Sequence, residues 1–141
     1  MSAAAAVAVP PPVTVSDIMS RPVLTVEVDE TLWDAWQLLF VSGLRHLVVL
    51  DANGNNLGVL SDRNVLAEVP ATAEHLGHRH VSDVIAQVPL IATHPADSPL
   101  HVAELMAANM VEALPVVDDA GRLVGIVTEF DIVRWVARPS R

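Results

Sequence analysis

The sequence is an imperfect duplication, and this constrains the fold more than any single motif. Val15-Ser16-Asp17-Ile18-Met19 returns about 67 residues later as Val81-Ser82-Asp83-Val84-Ile85. Asp29-Glu30-Thr31-Leu32 returns as Asp97-Ser98-Pro99-Leu100, with Ala35 answered by Ala103. Leu47-Val48-Val49-Leu50-Asp51 returns as Leu114-Pro115-Val116-Val117-Asp118, and Gly54 as Gly121. Gly58-Val59-Leu60-Ser61-Asp62-Arg63-Asn64 matches Gly125-Ile126-Val127-Thr128-Glu129-Phe130-Asp131. So many matches in one order at nearly one spacing identify two copies of one structural unit.

Each copy reads the same way. Ser16 and Ser82 are expected to cap a short leading helix. Apolar stretches Val23–Val26 and Leu90–Ala92 are expected strands, and longer helices follow over roughly 31–42 and 98–110. Runs 46–50 and 113–117 read as buried strands from their length and β-branching. Turn residues after Asp51 and Asp118 lead into strands 57–60 and 123–127, which complete two hairpins. Ser61 and Thr128 then cap a last helix. The fold class is α/β, more narrowly α+β, with two pseudo-symmetric β-α-β-β-α units. One unit of about 60 residues buries too little apolar surface to be comfortable alone, so the two are expected to pack through their sheets about a pseudo-two-fold axis. The expected organisation is a disordered Ala/Pro arm over 1–13, repeats over 14–68 and 81–137, a linker over 69–80 and a tail over 138–141.

Composition narrows the function. The chain has 141 residues, with 17 acidic and 8 basic side chains and a net charge of −9. That balance argues against a nucleic-acid binder or a polybasic membrane anchor. A hydrophobic fraction of 52% excludes a disordered chain. The absence of cysteine excludes disulfides, a thiol nucleophile and cysteine-ligated metal. No apolar run reaches the roughly 20 residues of a membrane span, and the Ala/Val/Pro start lacks the basic residues of a signal peptide. A cytoplasmic location is the expectation.

Helix 31–42 carries two apolar stripes, Leu32-Ala35-Leu39 and Trp33-Trp36-Phe40, where a surface helix needs one. Helix 128–137 shows the same excess in Phe130, Ile132, Val133, Trp135 and Val136, and these two helices hold all 3 tryptophans. A thick core would explain this. The expectation adopted is a homodimer through both helices, since aromatic residues are enriched at interfaces.

The doubled segment Gly-apolar-apolar-Ser/Thr-x-x-Asp/Asn joins the last strand to the last helix. Simple capping accounts for it: the hydroxyl accepts an N–H and the residue three positions on reciprocates, with Gly58 and Gly125 easing strand geometry. The same geometry suits a nucleotide. A helix N-terminus favours phosphate, a carboxylate such as Asp131 accepts from ribose hydroxyls, and a missing Cβ at Gly125 admits a sugar or base. Taken with the duplication, Leu-Pro-Val-Val-Asp at 114–118 and Gly-Ile-Val-Thr-Glu-Phe-Asp at 125–131 resemble a tandem cystathionine-β-synthase (CBS) domain pair, or Bateman module, over about residues 14–137. Arg45-His46-Leu47 and Gly58 to Arg63 resemble the first copy of stand-alone prokaryotic modules.

The resemblance implies a regulatory module that binds AMP, ADP, ATP or another adenosyl compound between the copies, dimerises into a disc and signals to a separate effector protein. Carried over by position, Thr128 and Asp131 with Gly125 would hold the sugar of one cleft, and Ile91, Ala92 and Thr93 its adenine. Ser61 and Asn64 would serve the other cleft, beside Thr25 and Val26. Asn64 stands where the family pattern has an aspartate, so the Asp131 cleft ranks first. Arg45, His46 and Arg63 are candidates for a phosphate clamp or, equally, for surface ion pairs. So few cations favour a mononucleotide or a neutral adenosyl ligand.

Two other classes stay open. One is a structural dimer module with empty clefts. The other is a metal site at His75-x-x-His78-x-His80 with Glu74, whose spacing suits zinc or nickel. No nucleophile elbow, metalloprotease helix, P-loop or dinucleotide fingerprint is present, so catalysis is not expected.

Overall fold

The structure is a computed structural model and describes residues 12–139; residues 1–11, most of the expected arm, and 140–141 lie outside it. The first half runs α1 (Val15–Ile18), β1 (Thr25–Glu27), α2 (Leu32–Ser42), β2 (His46–Leu50), β3 (Asn56–Ser61) and α3 (Asp62–Leu66). A short α4 (Ala73–Gly77) leads to α5 (Val81–Ile85), α6 (Pro99–Asn109), β4 (Ala113–Val117), β5 (Leu123–Thr128) and α7 (Glu129–Ala137). β1 pairs parallel with β2, which pairs antiparallel with β3, while β4 and β5 form an antiparallel pair. Both hairpins shift register at the same place, after Val49 and after Val116.

The expected strand over Leu90–Ala92 does not form; only Thr93 bridges to Val116. The cause is one side chain. In the first copy the Val48 N–H donates to the Leu24 carbonyl at 3.0 Å. The matching position in the second copy is Pro115, which has no N–H to donate. Two bonds remain there, from Thr93 N–H to the Pro115 carbonyl and from Val117 N–H to the Thr93 carbonyl. The first copy's strand begins at Thr25 rather than Val23.

The leading helices are each capped two residues earlier than expected. Thr14 and His80 occupy the caps in place of Ser16 and Ser82, and Asp17 and Asp83 accept their backbone N–H groups, each at 2.8 Å. The expected linker is not all loop: α4 buries Leu76 in the first core, and Arg79 closes it with a 2.6 Å contact to Glu68.

The two leading helices are exchanged between the copies. Val15 of α1 lies in one cluster with Val102, Met106, Leu114 and Val127 of the second copy. Val81 and Ile85 of α5 lie with Leu32, Leu47 and Leu60 of the first. Matching backbone bonds fix both: Val15 N–H to the Asp97 carbonyl (2.8 Å) and Val81 N–H to the Glu30 carbonyl (2.9 Å). Ser20 then pairs antiparallel with Ile126, extending the second sheet with chain from the first copy. A third cluster, Val48, Val59, Ala113 and Ile126, joins the two sheets face to face.

The repeated glycines serve this exchange. A Cβ on Gly125 would stand 2.5 Å from the Met19 sulfur and 3.3 Å from the Ser20 carbonyl. One on Gly58 would meet Ile85, the residue matching Met19, at 3.3 Å. Gly58 also has φ +126°, a conformation closed to other residues at low cost. Gly58→Ala is therefore expected to destabilise the protein by about 1–3 kcal/mol, read from urea denaturation. Gly125→Ala acts only through crowding, so its loss should shrink in the Met19→Ala background.

Candidate functional site

Two crevices lie between the copies, and each is built from both. The larger, about 850 Å³, is lined by Thr128 to Asp131 at the junction of β5 and α7, by Ser20 to Leu24 before β1, and by Leu44 to His46 before β2. The smaller, about 310 Å³, gathers Ser61, Arg63 and Asn64 with Gln87 to Pro89 and Ile91. Glu112 and His46 line both.

The expected partnering of motif and strand is thereby reversed. Ile91 lies with Asn64, not with Asp131. The exchange of leading helices carries each copy's following segment over to the other copy's motif. The other expected base-lining residues are spent elsewhere. Thr93 is fully buried, and its hydroxyl donates to Asp97 at 2.8 Å. Val26 is buried in the first core. Thr25 and Ala92 line neither crevice. Gly125 does not offer bare backbone to a sugar, because Met19 covers it.

Asp131 is the buried carboxylate among the described residues. Its residue is 2% exposed. One carboxylate oxygen accepts from the Thr128 N–H (2.8 Å) and hydroxyl (3.2 Å). The other accepts from the Ser20 hydroxyl (3.0 Å) and the Arg134 guanidinium (2.6 Å). Capping thus accounts for one oxygen, while the second joins α7 to the segment from the first copy. A ribose hydroxyl reaching this carboxylate must replace Ser20 or Arg134. Arg134 is the mobile partner, since its side chain is 58% exposed and stacks over the Phe130 ring at 5.0 Å.

The three expected clamp residues all face carboxylates. Arg45 contacts Asp62 at 3.3 Å, Arg63 contacts Glu112 at 2.7 Å, and His46 lies 3.9 Å from Glu112. Arg45 and His46 line the larger crevice, whereas Arg63 lines the smaller. Sequence reasoning missed Arg21, Ser20 and Arg134, all in the larger crevice. The i,i+3 spacing of Asp131 and Arg134 on one helix was the available signal for the last. Nothing in the sequence marks Arg21.

Burial pushes the His46 imidazole below its usual 6.5, outweighing the pull of Glu112 and Asp62 in the other direction. His46 is therefore mostly neutral at and above neutral pH. The histidines of the 75–80 segment form no metal site: among the described residues no group of three or more His, Cys, Asp or Glu could hold an ion. Nor is any helix among them long and apolar enough to cross a membrane.

The His46 shift fixes a pH dependence. The unfolded chain takes up the proton first as pH falls, so stability is fully present above about 6.5 and declines below it. Urea unfolding between pH 8 and pH 5 should show this decline, and His46→Gln should flatten it.

Comparison with known proteins agrees with the arrangement. A family model described as CBS domain matches residues 15–71 and 81–138. The structure superposes on the CBS domain pair of a protein solved with 5′-methylthioadenosine and S-adenosyl-L-methionine, at 30% identity and TM-score 0.71, covering 89% of this chain and 97% of that one. It also superposes on a protein named CBSX2, solved with AMP, at 28% identity and TM-score 0.72, covering 87% and 95%. An L-aspartate semialdehyde sulfurtransferase of Methanocaldococcus jannaschii is 32% identical over 127 residues, 87% of this chain but 23% of that enzyme. The chain spans roughly a quarter of the enzymes it matches.

Proposed function

The chain belongs to the CBS-domain family as a tandem pair, and on that premise we propose that it is a regulatory module sensing an adenosyl ligand. The ligand enters the larger crevice, and its ribose is held by Asp131 and Thr128. The observation that carries this reading is the composition of the crevice. Asp131 and Thr128 come from one copy and Ser20 to Leu24 from the other, so a bound molecule feels the relative placement of the two. Relatives solved with AMP or with S-adenosyl-L-methionine and methylthioadenosine support the ligand class. We carry over no catalysis from the larger enzymes, which hold a similar segment as a minor part of their length.

Binding works by exchange. Ribose hydroxyls donate to the Asp131 oxygen now shared by Ser20 and Arg134. The released Arg134 lines the crevice together with Arg21 and Arg45, and a guanidinium fork suits a ligand phosphate. AMP thus fits better than ATP, given the acidic Glu112 and Glu129 on the same lining. The ligand shifts the arrangement of the copies only by its differential affinity for each state.

The rim offers a route outward. Leu44, Phe130 and Val133 line the crevice and are exposed, with Phe40 and Val41 on α2 and Val136 on α7 also open. Two of the three tryptophans behave differently: Trp33 and Trp36 pack against the first core. The proposed homodimer therefore rests on the phenylalanines and valines of α2 and α7, and an effector protein reads the paired surface. Phe40→Ser with Val133→Ser is expected to leave a folded monomer, where light scattering on the parent chain gives a dimer.

One observation favours a second reading, a structural module with unused crevices: Asp131 is already satisfied by four internal donors. Asp131→Ala separates the two. The sensor reading expects AMP affinity to fall by roughly 1–3 kcal/mol, or about 5- to 150-fold, by titration calorimetry. Loss of thermal stability with unchanged AMP binding would instead leave a purely architectural role.

A further inference from the structure

The larger crevice already contains a group of the kind a sugar would bring. The Ser20 hydroxyl donates to one Asp131 oxygen at 3.0 Å, and a neutral O–H on a carboxylate is also the bond a ribose hydroxyl makes. The backbone of Ser20 is held without it. Its N–H donates to the Ile126 carbonyl at 2.8 Å, and its carbonyl accepts from the Ile126 N–H at 3.1 Å. Met19, just before it, is packed on Gly125. The pairing with β5 therefore delivers the hydroxyl to Asp131 but does not depend on it. The duplication shows that the unit can do without this hydroxyl, because the residue in register with Ser20 is Ala86.

Resting on the adenosyl reading above, we infer that the Ser20 hydroxyl is a built-in competitor of the ligand's ribose, which occupies Asp131 in the free protein and so limits how tightly the larger crevice binds. A ribose brings two vicinal hydroxyls against one from Ser20, so the ligand still gains by the exchange. It gains less than an unoccupied carboxylate would give, because only the share of molecules with the internal bond open is ready to bind. Removing the hydroxyl shifts that balance. The buried Asp131 then lacks a donor that the ligand supplies, and a buried acceptor short of a partner favours whatever brings one. Arg134 still holds the same oxygen, so the carboxylate stays charge-paired. Ser20 is thus a positioning residue whose loss strengthens binding.

The experiment is calorimetric titration of the full chain and of Ser20→Ala with AMP and with 2′,3′-dideoxy-AMP, which keeps base and phosphate but lacks both ribose hydroxyls. S20A is expected to bind AMP about 3- to 10-fold more tightly than the parent chain, and the dideoxy compound no more tightly. A thermal melt should find S20A folded, less stable than the parent without ligand, and raised further than the parent by AMP. Ser20→Cys, a weaker donor of nearly the same size, is a second variant that should move affinity in the same direction. Unchanged or weaker AMP binding by these variants, or an equal gain with the dideoxy compound, would overturn the inference while leaving the adenosyl reading in place. AMP bound by the variants alone would support the competitor role. Silence toward AMP from parent and variants would end both readings.

Discussion

The exchange of the two leading helices is the constraint on which the rest depends. A single copy would leave its apolar sheet face and the space above its glycine open. Val15 fills the second core and Val81 the first, so neither copy completes its interior without a segment from the other. Methionine fits this use, since its flexible thioether follows an irregular gap. Met19 lies on Gly125 closely enough that no Cβ fits between them. The crevices follow from the same exchange, because the chain leaving each borrowed helix passes across the other copy's strand-to-helix junction.

Electrostatics decide which crevice matters. The chain carries an excess of acid, and most of its basic groups already face a carboxylate. Arg63 is held by Glu112, and burial keeps His46 largely uncharged at neutral pH. Around Asp131 three arginines, Arg21, Arg45 and Arg134, line one crevice, and although Arg45 faces Asp62 and Arg134 faces Asp131, both side chains are more than half exposed. The Arg134 side chain is more than half exposed, so it can turn to an incoming phosphate while a ribose hydroxyl takes its place on the buried Asp131 carboxylate.

What could be read from the sequence was whatever lay within one copy. The hairpins, the caps at Ser61 and Thr128, and the buried stripe Leu32-Ala35-Leu39 are local consequences of periodicity and turn chemistry, and the structure has them. Apart from the caps of the leading helices, which fall at Thr14 and His80 rather than Ser16 and Ser82, what failed was long-range or depended on one missing hydrogen. The strand at Leu90–Ala92 reads as well as its counterpart until Pro115 is set opposite it. The assignment of Ile91 to Asp131 kept motif and strand within one copy, and no periodicity signals a helix swap. Gly125 was read as an opening for a ligand because its contact, Met19, lies more than a hundred residues away in the chain.

The saturation of Asp131 bears on how such a module can signal. A carboxylate waiting bare in a crevice would bind its ligand without disturbing anything. Here the Ser20 hydroxyl and the Arg134 guanidinium hold the oxygen a ribose would use, and each is tied to a larger contact. Ser20 is part of the segment that pairs with Ile126 and follows α1. Arg134 stacks on Phe130, an exposed aromatic of the proposed dimer face. Releasing either bond therefore loosens a contact between copies or frees a side chain at the outer surface. The net affinity is lowered by the bonds given up, and the same bonds connect an occupied crevice to the rest of the molecule.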